Sequence, residues 1–178
     1  MTLLIPFTII ISIIVIFIPL LTFLLAGFSL APWVPARHRD LKRIFKIADL
    51  KPGELFYDLG CGHGQIVIQA NKHFQAKAVG LEISLPLFLV CKIRRLSQPG
   101  IRFKYKNIFR EDLSPADVIY VYGLPDTLNN RLRQKLEKEL KPGARIISYG
   151  FAVKDWRPAA IDRPTSKSKP IYLYKFGK

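Results

Sequence analysis

The stretch Leu55-Phe56-Tyr57-Asp58-Leu59-Gly60-Cys61-Gly62-His63-Gly64-Gln65 decides how this chain is read. An apolar run ends in an acid, opens into alternate glycines and closes on residues with helical period, the pattern of a strand, a tight loop and a helix. Glycine permits positive φ and lets backbone N–H groups approach a ligand closely, so the loop predicts a ligand crevice at a strand's carboxyl end. A dinucleotide fingerprint would carry its third glycine at position 65. Gln65 stands there instead, and glycine stands at 64, giving Gly-x-Gly-x-Gly. An acidic residue at the strand end suits a cationic ligand.

Working outward, the chain alternates after the Lys51-Pro52-Gly53 turn. Strands are expected at Leu55–Leu59, Ala78–Leu81, Arg102–Tyr105, Asp117–Tyr122 and Arg145–Tyr149, with helices at Gln65–Phe74, Leu85–Leu96 and Asp126–Leu140. Short apolar strands between amphipathic helices predict an α/β fold, a Rossmann-like parallel sheet covered on both faces. Beyond Phe151 the alternation stops, and Ala159–Thr165 with Ile171–Phe176 read as an antiparallel C-terminal hairpin. Glu82 ends the second strand about twenty residues after the glycines, the distance at which a carboxylate reaches ribose hydroxyls. Tyr120 alternates inward and reads as core, and Arg131 to Lys141 as a solvated helix face. Cys61 and Cys91 are the only cysteines, too few for a disulfide scaffold, and with His63 and His73 they lack the spacing of a zinc site.

Asp58 with Gly60-x-Gly62-x-Gly64 resembles motif I of class I methyltransferases, whose ligand carries a sulfonium rather than a pyrophosphate. The resemblance implies S-adenosyl-L-methionine as cofactor, held by Asp58, Gly60, Cys61, Gly62, Gly64 and Glu82. Lys106-Asn107-Ile108-Phe109 follows the third strand, where that class keeps an acid or amide beside adenine; Asn107 would offer the amide and Ile108 apolar cover. Motif I through Val67, the Asp112-Leu113-Ser114 segment, Leu136-Glu137-x-Glu139-Leu140 and the aromatics Phe151 and Trp156 are together similar to the membrane-associated seven-strand lysine methyltransferases of the ATP synthase c-subunit and the adenine nucleotide translocase. The family usually has Ser and Asp where this chain has Cys61 and His63. The resemblance implies in-line methyl transfer to a lysine ε-amine, a reaction dominated by positioning. Tyr122 and Pro125, just past the fourth strand, fall near the transferred methyl, and Tyr122 is the candidate base.

From Met1 to Ala36 there is no Asp, Glu, Lys or Arg, so the whole net charge of +15 lies downstream. Leu3 to Leu30 is almost unbroken Leu, Ile, Val and Phe, and a membrane helix needs about 20 such residues. No basic residue precedes the run and Pro32 follows the one small-x-small candidate, which argues against a cleaved signal. The expected organisation is a transmembrane anchor over 1–31, a linker and basic amphipathic helix over 32–50, and a methyltransferase domain over 51–178. Arg37, Arg39, Lys42, Arg43 and Lys46 flank only the C-terminal side of the run, which orients the domain toward the cytoplasm, or the matrix of a mitochondrion. The partners expected are membrane lipids through the N-terminal helix and a membrane-protein substrate. Nucleic acid is disfavoured, because amino-group base methylation typically uses an Asn/Asp-Pro-Pro-aromatic loop and Tyr122-Gly123-Leu124-Pro125 stands in its place. An RNA, lipid or small-molecule acceptor, or a non-catalytic cofactor-binding protein, are the competing readings.

Overall fold

The computed structural model describes residues 4–17, 20–21, 34–95 and 98–177. Seven strands form one sheet: β1 (Leu55–Leu59), β2 (Lys77–Glu82), β3 (Ile101–Tyr105), β4 (Val118–Val121), β5 (Arg145–Tyr149), β6 (Ala160–Asp162) and β7 (Ile171–Lys175). Their order is β3-β2-β1-β4-β5-β7-β6. The first five run parallel, while β7 lies antiparallel between β5 and β6. The expected parallel sheet with an antiparallel hairpin is therefore present. The strand expected over 159–165 is only three residues long, ending where Pro164 removes a ladder donor.

The helices are α1 (Leu4–Ser12, continued by a π-helical stretch Ile13–Phe17), α2 (His38–Ala48), α3 (Gln65–Phe74), α4 (Leu85–Arg94) and α5. The last begins at Pro125–Thr127, widens into a π-helical stretch Leu128–Leu132 and continues as Arg133–Glu139. Strand period 2 sorts the sheet into two faces. Phe56, Ala78, Phe103, Val118, Tyr120, Ile147 and Tyr149 pack with Ile44, Phe45, Val67 and Ala70 of α2 and α3. Tyr57, Leu59, Val79, Leu81, Ile119 and Ile146 pack with Leu128, Leu132 and Leu136 of α5.

α2 belongs to the first core: Ile44 and Ala48 are wholly buried, so the amphipathic helix assigned by sequence to the 32–50 segment is packed as part of the same unit. Its polar edge is tied down as well. Arg43 donates to Asp40 (2.8 Å), to the Asp162 carboxylate and to the Lys169 carbonyl (3.1 Å), and the Tyr149 hydroxyl donates to Asp40 (2.6 Å). Burial alone would raise the Asp40 carboxyl, but the bonds from Tyr149 and Arg43 outweigh it and hold it below its ordinary value.

Part of the expected span over Leu3–Leu30 lies outside the described residues. Within them, Ile9, Ile10, Ile11, Val15, Ile16 and Phe17 are exposed, and no described helix is long and apolar enough to cross a membrane.

Two glycines fix how closely the elements meet. A Cβ on Gly80 of β2 would lie 2.7 Å from Phe103 Cδ1 and 2.8 Å from Cys61 Sγ, and one on Gly64 would lie 2.6 Å from Phe103 Cζ. The Phe103 ring occupies the space that both side chains would need. Gly80→Ala should therefore lower the unfolding free energy by about 1–3 kcal/mol, the usual cost of overpacking. Urea unfolding with an unchanged midpoint would show that the ring yields freely.

Candidate active site

The site lies at the carboxyl ends of β1, β2 and β4, where the chain order of the sheet reverses and open α/β sheets leave a crevice. Asp58 pairs in register with Gly80 on one side and Tyr120 on the other. Glu82, two residues beyond Gly80, shares its face of the sheet. Both acids are buried.

Three backbone N–H groups hold Glu82. Gly62 donates to Oε2 (2.8 Å), and Ile83 (2.9 Å) and Ser84 (2.7 Å) donate to Oε1. Burial pushes its carboxyl up, and these three bonds pull it back only in part. Asp58 is pushed well above the ordinary carboxylate range, first by burial and then by the charge of Glu82. Two neighbouring hydroxyls, Ser84 Oγ and Tyr120 OH, are buried without a hydrogen-bond partner. The Tyr120 ring is core, as its strand position requires, but its hydroxyl leaves a polar group unsatisfied on the strand beside Asp58.

The glycine loop does not offer the row of N–H groups that its composition suggests. Gly60 N (3.0 Å) and Cys61 N (2.9 Å) both donate to the Leu81 carbonyl, Gly62 N to Glu82, and Gly64 N (2.8 Å) to the Cys61 carbonyl. Gly60, Gly62 and Gly64 all have positive φ. They serve the turn's shape, and those donors are spent within the fold. An anion cradle would need them free. Cys61, expected at the ligand, is packed in the first core against Gly80, and burial raises its thiol well above the ordinary value. Cys91 donates to the Gly62 carbonyl (3.0 Å) from beneath.

On the β3 side, Asn107 Oδ1 accepts from Phe109 N (2.9 Å), capping a short 3₁₀ turn and leaving its NH₂ group for a ligand. Asn107 lines a cavity of about 350 Å³ with Ile83, Tyr105, Lys106 and Arg110. Ile108 packs in the second core.

On the β4 side, Val121 pairs with Leu59, so Tyr122 stands level with Gly60. Its ring meets Tyr149 edge-on (4.8 Å) and stacks on Phe151 (6.5 Å). Gly150, at φ 91, leaves it room: a Cβ there would come within 3.3 Å of the ring. Lys169, in the loop before β7, places its ammonium 4.6 Å from the Tyr122 ring centroid and donates to the Tyr122 hydroxyl. Burial and the bond to Asp40 push the Tyr149 hydroxyl above its ordinary range, so it stays neutral.

The remaining segments of the sequence resemblance are scaffold. Leu113 N donates to Glu139 (3.0 Å) and Trp156 Nε1 to Glu137 (2.8 Å), fastening α5 across the second face. Ser84, the Tyr120 hydroxyl and Lys169 were not singled out by sequence. Ser84 stands two residues past Glu82 and carries a local signal, whereas nothing local places Lys169 beside Tyr122.

These groups fit S-adenosylmethionine: buried acids with no basic residue lowering Asp58, a loop whose Gly60, Cys61, Gly62 and Gly64 N–H groups are spent within the fold, and a cavity past β2 and β3 that Asn107 lines. The fold and the site are those of a class I S-adenosylmethionine-dependent methyltransferase. Residues 58–160 match the ANTKMT methyltransferase domain, and the chain belongs to that family. A protein-lysine N-methyltransferase of Saccharolobus islandicus (strain REY15A) is 35% identical over 153 residues, covering 83% of this chain and 94% of the relative. The adenine nucleotide translocase lysine N-methyltransferase of Mus musculus is 28% identical over 73% of this chain, which spans only 57% of that protein's length. Among solved structures, an RNA methyltransferase from Salinibacter ruber in complex with S-adenosyl-L-homocysteine superposes with a TM-score of 0.74 at 29% identity, covering 80% of this chain and 93% of the other.

The acid pair yields a prediction with a definite sign. A carboxyl whose folded pKa is raised binds protons more tightly in the folded state, so its contribution to stability falls as pH rises from the unfolded pKa through the folded one. Asp58→Asn removes that cost and should stabilise the cofactor-free protein at pH 7 by on the order of 1 kcal/mol, while weakening S-adenosylmethionine binding. Thermal unfolding with and without cofactor measures both; a destabilised free variant would show that Asp58 is already compensated.

Proposed function

We propose that this protein is a protein-lysine N-methyltransferase, anchored in a membrane by its N-terminal segment, acting on a lysine of a membrane protein on the cytoplasmic or matrix side. In this reading Glu82 binds the ribose hydroxyls, Asp58 faces the cofactor's positive charge, and Gly60, Cys61, Gly62 and Gly64 shape the loop around it. Asn107 borders the adenine end through the cavity after β3, and Ile108 backs it from the second core. When bound, S-adenosylmethionine supplies a methyl group on a sulfonium sulfur.

The observation that carries the amine-acceptor reading is the state of Tyr122. An alkylammonium already rests on its hydroxyl and ring, level with Gly60. A lysine head is the chemistry that such an aromatic end with a phenol oxygen receives. Tyr122 orients the amine by accepting one of its hydrogens and aims the lone pair into the crevice, and the proton passes to water. Positioning of this kind supplies much of the rate in a displacement. The lysine methyltransferases of Saccharolobus islandicus and mouse support the same acceptor class.

Anchoring is supported by the charge-free apolar run and the basic residues that follow it. α4 adds a surface suited to headgroups: Leu89, Val90 and Ile93 are exposed beside Lys92, Arg94 and Arg95, and Arg94 donates to the His63 carbonyl (2.6 Å) of the glycine loop. The short linker Pro32-Trp33-Val34-Pro35 keeps the crevice near the bilayer, raising the effective concentration of neighbouring substrates. A net charge of +15 and the Salinibacter ruber structure favour RNA as the second reading.

Incubating the full chain with methyl-labelled S-adenosylmethionine and membranes from cells lacking it should label lysines of a membrane protein. Label in RNA or lipid, with no lysine modified, would overturn the assignment. By calorimetry, Glu82→Ala should weaken cofactor binding by about 1.5–3 kcal/mol, the value of a charge-assisted hydrogen bond. Equal affinity would remove Glu82 from the ribose site.

A further inference from the structure

Resting on the lysine-methylation reading, we infer that Lys169 is itself a methyl acceptor: it occupies the acceptor-amine subsite of its own chain and is modified there. The loop between β6 and β7 is pinned at this lysine and at the residue after it. Its own carbonyl accepts from Arg43 Nη2 (3.1 Å), and the carbonyl of Pro170 accepts from Gly150 N (2.8 Å). Arg43 is itself clamped between Asp40 and Asp162. Backbone restraint therefore delivers the side chain to one place, at the Tyr122 hydroxyl and 5.7 Å from the ring centroid of Tyr149.

The contacts are those of a substrate head rather than of a structural ion pair. Among the described residues, Lys141, Lys135 and Lys104 each meet a carboxylate. The half-buried Lys169 ammonium has no carboxylate partner there and meets the Tyr122 phenol oxygen, with the Tyr149 ring centroid 5.7 Å away. Ring faces hold methylated ammonium as well as the parent cation, so the product remains compatible with the subsite. An external lysine must displace Lys169 to reach Tyr122, which gives the loop before β7 a part in admitting substrate.

The step balances without any further reagent. Lys169 Nζ, as the free amine after losing a proton to water, gives its lone pair to the methyl carbon of S-adenosylmethionine. The N–C bond forms, and the C–S bond breaks with its electron pair left on sulfur. S-adenosylhomocysteine departs, and the new methylammonium can shed its next proton to water.

Two measurements on the full chain test this. Without cofactor, an amine-acylating reagent should modify Lys169 about tenfold more slowly than exposed Lys167 in the same loop, and Tyr122→Leu should erase the difference; equal rates in the parent would overturn the occupancy. With labelled S-adenosylmethionine and no other protein, peptide mapping should find methyl on Lys169 and none on Lys167, at a rate per chain independent of protein concentration. Lys169→Arg, shown folded by its melting temperature, should lose that label. If lysines of a membrane protein are methylated while Lys169 is not, or if its rate climbs with concentration, this inference fails and the lysine-methylation reading stands. If no lysine is methylated anywhere, both fail.

Discussion

Asp58 and Glu82 are two buried carboxylates at the ends of adjacent strands on one face of the sheet, in a protein whose net charge is +15. None of those surplus positive charges lowers the Asp58 carboxyl, and the proximity of Glu82 raises it. Burying like charges together is costly unless something completes the site. The surrounding structure keeps them there. Gly80 carries no side chain between them, Phe103 fills the space beneath, and the loop commits Gly62 N to Glu82 rather than to a ligand. A cationic cofactor is the chemistry that relieves the arrangement, and the glycine loop is built around an acid that it must orient.

The other half of the crevice is aromatic. Tyr149 ends β5, Tyr122 and Phe151 stand just beyond the ends of β4 and β5, and the Tyr149 hydroxyl reaches Asp40, which Arg43 joins to Asp162 and to the loop before β7. One hydrogen-bonded path therefore runs from α2, the first described helix after the apolar N-terminal segment, to the residues around Tyr122. The same helix that buries Ile44 and Ala48 also sets the wall of the crevice.

Much of this was legible in the amino-acid pattern. Alternating apolar runs located β1 to β5 to within a residue or so, because a parallel sheet buried on both faces leaves short strands of uniform character. Asp58 and Glu82 were identifiable because an acid ending an apolar strand has few structural uses. The role of the glycines was legible only in part: Gly-x-Gly-x-Gly announces positive φ, but whether the N–H groups face a ligand depends on the Leu81 carbonyl and Glu82, which approach from another strand. The π-helical widening at Leu128–Leu132 left no mark on periodicity over so short a stretch. Lys169 lies 47 positions from Tyr122 in a polar turn, and only the antiparallel return of β7 beside β5 joins them. Ser84 and Tyr120 were visible as residue types, while their missing partners are a property of packing alone.

The central claim is that the cofactor's positive charge relieves the burial and mutual repulsion that raise the Asp58 and Glu82 carboxyls. The most direct test counts protons exchanged when S-adenosylmethionine binds, by calorimetry at a series of pH values upward from the ordinary carboxylate range, in buffers of different ionisation enthalpy. The account predicts net proton release on binding, reduced in Asp58→Asn. Binding with no proton release in the parent protein would contradict it.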